Sequence, residues 1–154
     1  MEKYQTKKII ISFAVIILVA VLGSIFVNLG MDWFNSLNKP SQWVPNIVIP
    51  IVWTVVYITF AVINFIWYKK DNIPSATVIL MCINAALNVL WCLTFFTLEL
   101  LLIGNLVILL NLIMGFILIV NIYRYKPLFS YILSIYPVWL CIATTLNLAL
   151  WILN

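Results

Sequence analysis

Residues 76–123 read ATVILMCINAALNVLWCLTFFTLELLLIGNLVILLNLIMGFILIVNIY, almost uninterrupted apolar sequence in which Glu99 is the only charge. As one helix rising 1.5 Å per residue, this run would extend about 70 Å, more than twice the ~30 Å hydrocarbon core of a bilayer. It must fold back once, and Glu99 marks the bend. The expectation is an antiparallel pair of spanning helices, 76–96 and 100–123, joined by a very short turn.

The flanking sequence has the same character. A run at 9–29 follows Lys3, Lys7 and Lys8. It is longer than the 7 to 15 residues of a signal-peptide core, so it reads as a retained helix although Val21 and Gly23 before Ser24 loosely resemble a cleavage site. A polar, Pro-rich loop from Gly30 to Asn46 leads into a second run, 47–68, with Pro50 in its first turn, where a missing N–H costs least. The last run, 128–153, is a fifth helix with a kink expected at Pro137. The fold class is all-α: one polytopic membrane domain over 1–154, a bundle of five transmembrane helices.

Composition agrees. Of 154 residues, 66% are hydrophobic and 8% charged, against about 25% charged in soluble domains; mean hydropathy is +1.20. A soluble enzyme is excluded. No histidine is present, which removes the commonest proton shuttle, zinc ligand and axial haem ligand, so neither a metal site nor a metal cofactor is expected. Cys82, Cys92 and Cys141 lie in apolar runs and are expected to be buried as small hydrophobes. The net charge of +4 does not indicate nucleic acid, because the basic residues are scattered over the loops instead of forming one patch. The carboxylates Glu2, Asp32, Asp71 and Glu99 fall between or outside the runs. Pumps, ion-coupled transporters and voltage sensors need charged or titratable groups at membrane depth, and none is left there.

Five spans place the amino terminus, the second loop and the fourth loop on one side. Those segments hold Lys3, Lys7, Lys8, Lys69, Lys70, Arg124 and Lys126, and the opposite side only Lys39. The positive-inside rule then makes the amino terminus cytoplasmic and the carboxyl terminus external. Labelling intact cells from outside tests this. A cysteine appended after Asn154 should react and one near residue 70 should not; the reverse pattern would invert the topology.

Polar and aromatic residues recur in stripes. Trp53, Tyr57, Phe60, Asn64 and Trp67 share one face of the second helix at spacings of three and four. Asn84, Asn88, Trp91 and Phe95 do the same on the third, as do Tyr136, Trp139, Ala143, Asn147 and Trp151 on the fifth. The fourth has no tryptophan, and its Asn105, Asn111 and Asn121 do not share a face. Helices two, three and five are therefore the candidates to enclose a site. Two readings stay open: a cavity of indoles and amides suited to a flat, largely apolar ligand, or interhelical asparagine bonds worth about 0.6 kcal/mol each, with Trp67 and Trp151 in the interfacial aromatic belt.

Trp33, Phe34, Leu37, Lys39, Pro40, Pro45, Trp53 and Tyr57, then Leu87, Asn88, Trp91, Phe95 and Phe96, then Tyr136, Trp139, Ala143, Leu146, Asn147 and Asn154 form three ordered blocks. Together they resemble the tryptophan-rich sensory protein/translocator protein family (TspO/MBR, the peripheral benzodiazepine receptor family) over nearly the whole chain. The family's K-P-x-W-x-P-P loop is altered here, with Trp43 displaced by one position and one proline lost. Asn105 stands where many members have aspartate, Ile142 replaces a common phenylalanine, and Pro137 lies two positions past the usual proline. The basic, tyrosine-containing cholesterol motif of helix five is missing.

The resemblance implies a pocket on the loop-one side, closed by that loop and lined by helices one, two, three and five, that binds porphyrins such as protoporphyrin IX. Carried over residue by residue, its ligand-binding set is Trp33, Pro45, Trp53, Tyr57, Asn84, Asn88, Trp91, Trp139, Ala143 and Asn147, with no catalytic residue assigned. The porphyrin is a ligand and no cofactor is implied. The resemblance further implies a receptor or sensor in a bacterial cell membrane, often a homodimer, with the lipid bilayer as surroundings. The alternatives are light-dependent porphyrin breakdown and translocation of tetrapyrroles or other small hydrophobic ligands.

Overall fold

A computed structural model describes residues 2–41, 44–45 and 47–154, with side chains from Tyr4 onward. Helix α1 (Glu2–Leu29) leads into the short α2 (Met31–Ser36). After loop one come α3 (Val48–Lys70) and α4 (Ser75–Cys92), which continues as a π turn (Leu93–Thr97). Then follow α5 (Leu101–Tyr123), α6 (Pro127–Leu133) and α7 (Ile135–Leu153). Among the described residues there is no strand, and five segments are long and apolar enough to cross a membrane: Tyr4–Leu29, Val48–Lys70, Ser75–Thr97, Leu101–Tyr123 and Pro127–Leu153.

Three places add detail to the sequence expectations. The stretch read as an open loop from Gly30 onward begins with α2. At the α4–α5 bend, Glu99 has a φ of 60°, a left-handed conformation uncommon for any residue but glycine. It lets the Leu100 N–H reach back to the Thr94 carbonyl (2.9 Å) while Leu98 N–H bonds Leu93 (2.9 Å). The helix is interrupted at Ser134, between α6 and α7, just upstream of Pro137, where the sequence puts a kink. Proline has no N–H to offer the carbonyl four residues earlier and its ring crowds that group, so the disturbance falls one turn upstream of the ring.

Helices in lipid gain nothing by hiding apolar side chains from one another, so close packing and interhelical hydrogen bonds must hold the bundle. Around the ring α1 packs on α3 and α4, α4 on α5, and α5 on α7 and α6, while α3 closes the circle against α6 and α7. Gly104 lets α5 approach the π turn so closely that a Cβ there would sit 2.8 Å from the Phe95 Cβ. Amides and hydroxyls tie the seams: Thr77 Oγ1 to Asn121 Oδ1 (2.7 Å), Asn84 Nδ2 to the Met114 carbonyl (3.2 Å), Ser130 Oγ to the Ile119 carbonyl (2.9 Å), and Thr97 Oγ1 to the Phe26 carbonyl (2.8 Å). The interhelical role of asparagine is therefore real for Asn84 and Asn121.

Two buried cores result, one toward each end of the bundle. Near loop one lie Trp91, Phe95, Phe96, Tyr136 and Leu140; at the other end lie Ile63, Trp67, Leu118, Ile122 and Leu133. Trp67 is 1% exposed and packs on Phe129 at 5.7 Å, so it is a core residue and not part of the aromatic belt, whereas Trp151 is exposed. The expectation of three buried cysteines also needs correction: Cys92 is buried, but Cys82 and Cys141 are exposed. A weakly polar thiol is tolerated where the surroundings are hydrocarbon, so an apolar run does not imply an inward position.

The ends are distinct. Lys8 Nζ donates to Asn72 Oδ1 (3.0 Å) and Lys126 pairs with Asp71 (3.7 Å), which puts the start of α1, the α3–α4 connection and the α5–α6 connection together. At the opposite end Gly30 lies against Phe96. There Asn154 clamps loop one, its Oδ1 accepting from Asn38 N–H (2.9 Å) and its Nδ2 donating to the Asn38 carbonyl (3.0 Å) and to Leu150 (2.8 Å).

Candidate ligand-binding site

The helical spacing of three and four on α3 brings Trp53, Tyr57 and Phe60 to the bundle interior, where they meet the aromatic residues of α4 and α7. Trp53 stacks on Trp91 (6.0 Å between centroids, 29° between planes) and on Tyr57 (5.8 Å, 28°), and meets Tyr136 edge-on at 6.4 Å. Trp91 continues the cluster to Phe96 at 5.7 Å and to Phe95 at 6.3 Å. The π turn matters here: its wider winding carries Phe95 and Phe96 inward together, 5.0 Å apart, and such turns recur at functional sites.

Two cavities flank this cluster. The smaller, about 70 Å³, lies under loop one and is lined by Phe34, Lys39 and Pro40 from above and by Trp53, Trp91, Trp139, Ala143 and Asn147 from the helices. The larger, about 510 Å³, runs between α1, α3 and α4 toward the other end and includes Trp53, Tyr57, Asn84 and Asn88. Trp53 lines both.

The ten residues expected to bind ligand thus divide. Trp53, Trp91, Trp139, Ala143 and Asn147 converge under loop one. Tyr57, Asn84 and Asn88 join Trp53 around the larger cavity, where the Tyr57 hydroxyl donates to Asn88 Oδ1 (3.3 Å). Asn84 is engaged as a helix tie, and its Oδ1 also accepts from Tyr136 (3.4 Å). Trp33 lines neither cavity and packs edge-on against Phe95 at 6.2 Å. Pro45 is exposed. Trp43, which the sequence places in the lid, lies outside the described residues. Helix α1 borders only the larger cavity.

Under loop one, Trp91 Nε1, Trp139 Nε1 and Asn147 Nδ2 are buried donors with no partner among the described residues, while the backbone carbonyl of Asn147 accepts from Asn105 Nδ2 (3.3 Å). Buried polar groups are normally satisfied by protein or ordered water, so three such donors around one cavity can take acceptors from solvent or from a bound molecule. The sequence missed Phe34 and Lys39 as lining residues; Lys39 lies over the Phe34 ring at 4.5 Å and donates to Asn35 Oδ1 (3.3 Å).

Comparison with known proteins agrees with this architecture. Residues 12–152 match the TspO/MBR family. The chain is 28% identical to the tryptophan-rich protein TspO of Archaeoglobus fulgidus over 152 residues, 96% of this chain and 97% of the relative. It is 28% identical to protein CrtK of Rhodobacter capsulatus over 126 residues, 79% and 78% respectively. It is 30% identical to the uncharacterized membrane protein YtaB of Bacillus subtilis over 148 residues, 92% and 94%. A match covering all five spans leaves one conclusion: the chain is an integral membrane protein that belongs to the TspO/MBR family, which supports a sensor or translocator role.

Proposed function

We propose that the protein is a membrane receptor that binds a porphyrin of the protoporphyrin IX type between the indoles beneath loop one. The observation that carries this reading is the meeting of Trp53, Trp91 and Trp139 with three unpartnered buried donors. Indole faces stack on a planar macrocycle, and the Trp91, Trp139 and Asn147 N–H groups suit the carboxylates at its edge. A cavity of about 70 Å³ is well below the roughly 300–1,000 Å³ usual for small-molecule pockets. Binding therefore requires Phe34, Lys39 and Pro40 to lift, which makes loop one a lid. A receptor and a translocator share this binding step.

The test is a titration of the purified protein against protoporphyrin IX, haem and cholesterol, in the dark so that photochemistry does not consume the ligand. Protoporphyrin should bind and quench tryptophan fluorescence. Trp139→Leu keeps the cavity apolar but removes an indole, and should lose about 1 kcal/mol of stacking, a roughly fivefold weaker affinity. Parental affinity in the Trp53, Trp91 and Trp139 single variants, with helicity intact, would make these residues packing elements only.

A further inference from the structure

The larger cavity shares Trp53, Tyr57, Asn84 and Asn88 with the expected ligand-binding set, but its other end has a chemistry of its own. Its lining runs from Lys8 to Val19 along α1 and from Ser75 to Asn88 along α4, about 17 and 20 Å at 1.5 Å per residue. One leaflet's hydrocarbon, half of the ~30 Å core, is about 15 Å deep. The cavity is therefore about one leaflet deep. Ile11, Val15 and Ile79 line it and are also exposed on the bundle's outer surface, so it opens sideways toward lipid.

Its polarity is zoned along that length. At the end is Lys8, the only charged lining residue among those described. Lys8 has neutral partners: the Asn72 amide and the rings of Tyr4 at 4.4 Å and Tyr68 at 6.0 Å. One turn deeper, Asn64 Nδ2 donates to Ser12 Oγ (2.9 Å), which leaves the Ser12 proton free to point elsewhere. Asn64 is 6% exposed, and its Oδ1 has no partner among the described residues. Beyond that level α1 presents Val15, Ile16 and Val19 and α4 presents Ala85, before the Tyr57 hydroxyl and the Asn84 and Asn88 amides close the far end. A cation, then a hydroxyl donor beside an orphaned acceptor, then hydrocarbon is the order in which a phosphate, a glycerol hydroxyl and an acyl chain follow one another.

We propose that the α1/α3/α4 cavity binds a single-chain anionic glycerophospholipid, with its phosphate at Lys8, its free glycerol hydroxyl between Ser12 and Asn64, and its acyl chain lying along Val15 and Ala85. A fatty acid has the charge without the hydroxyl, a monoacylglycerol has the hydroxyls without the charge, and a two-chain phospholipid has no free glycerol hydroxyl beside its first chain and must leave its second chain outside, in the bilayer.

The test uses the full chain in phosphatidylcholine nanodiscs, with 1-palmitoylglycerol-3-phosphate, palmitate, monopalmitoylglycerol and phosphatidylglycerol as separate probes and native mass spectrometry as the readout. The lysophosphatidate should bind one per chain, more tightly than each other probe. Lys8→Gln should weaken it about fivefold, as expected for one interfacial lysine. Ala85→Phe and Val15→Phe, which fill the cavity from opposite walls, should each abolish it, with helicity measured on the same samples. Trp139→Leu should leave it unchanged, so a failure of porphyrin binding and a failure here are read separately. Equal binding of palmitate or monopalmitoylglycerol, tighter binding of phosphatidylglycerol, or parental affinity in the folded filling variants would overturn the proposal.

Discussion

Gly30→Ala should destabilise the protein by about 3 kcal/mol or more, at or beyond the upper end of ordinary overpacking costs. A Cβ at Gly30 would land on the carbonyl of Phe96. That obstacle is backbone held in the π turn, so it cannot rotate away as a side-chain end would. The α1–α2 corner would have to separate from the π turn, and Phe34, which packs on Phe96 at 5.3 Å, would move with it. Gly23→Ala is the matched control. Its Cβ would meet Cys92 Sγ at 3.5 Å, an ordinary contact, and removing a glycine from a helix interior is worth up to about 1 kcal/mol. Unfolding midpoints in one detergent should therefore fall sharply for the first variant and hold or rise for the second. Equal midpoints would show that the corner is loose.

Tyr136→Phe should cost about 1–2 kcal/mol. The Tyr136 hydroxyl donates to Asn111 Oδ1 (3.0 Å) and reaches Asn84 Oδ1 (3.4 Å) in the middle of the bundle. Asn111 is fully buried and its Nδ2 already has no partner among the described residues. Membrane hydrogen bonds average only about 0.6 kcal/mol, but stranding a buried acceptor costs about 1–3 kcal/mol, and the second effect governs here. Removing both partners should be milder than removing one, so Tyr136→Phe combined with Asn111→Leu should recover part of the loss. A double variant that is simply the sum of two losses would contradict this account.

The five spans were legible because length and charge are absolute in a bilayer. A 76–123 run cannot span once, and Glu99 is the only bend marker within it. The aromatic convergence of Trp53, Trp91 and Trp139 was legible too, since polar or amphipathic groups at helical spacing contrast with an aliphatic background. The larger cavity was not. Its α1 wall is Ile11, Val15, Ile16 and Val19, and in lipid an inward aliphatic residue looks the same as an outward one. The same lack of contrast hid the exposure of Cys82 and Cys141. Lys8 was read only as a marker of orientation, because nothing in the sequence shows that it lies over Tyr68 at a cavity's end.

The clamp at Asn154 has a consequence for how the molecule opens. One side-chain amide holds both the Leu150 carbonyl in the last turn of α7 and the peptide of Asn38 in loop one. Segments that share their hydrogen bonds in this way open as one cooperative unit. Loop one cannot swing free of the bundle without fraying the end of a helix more than a hundred residues further along the chain. Hydrogen exchange should therefore find the Asn38 amide and those of the last α7 turn exchanging at a common rate, slowed together by any guest that keeps the loop shut. Independent rates would separate the two segments.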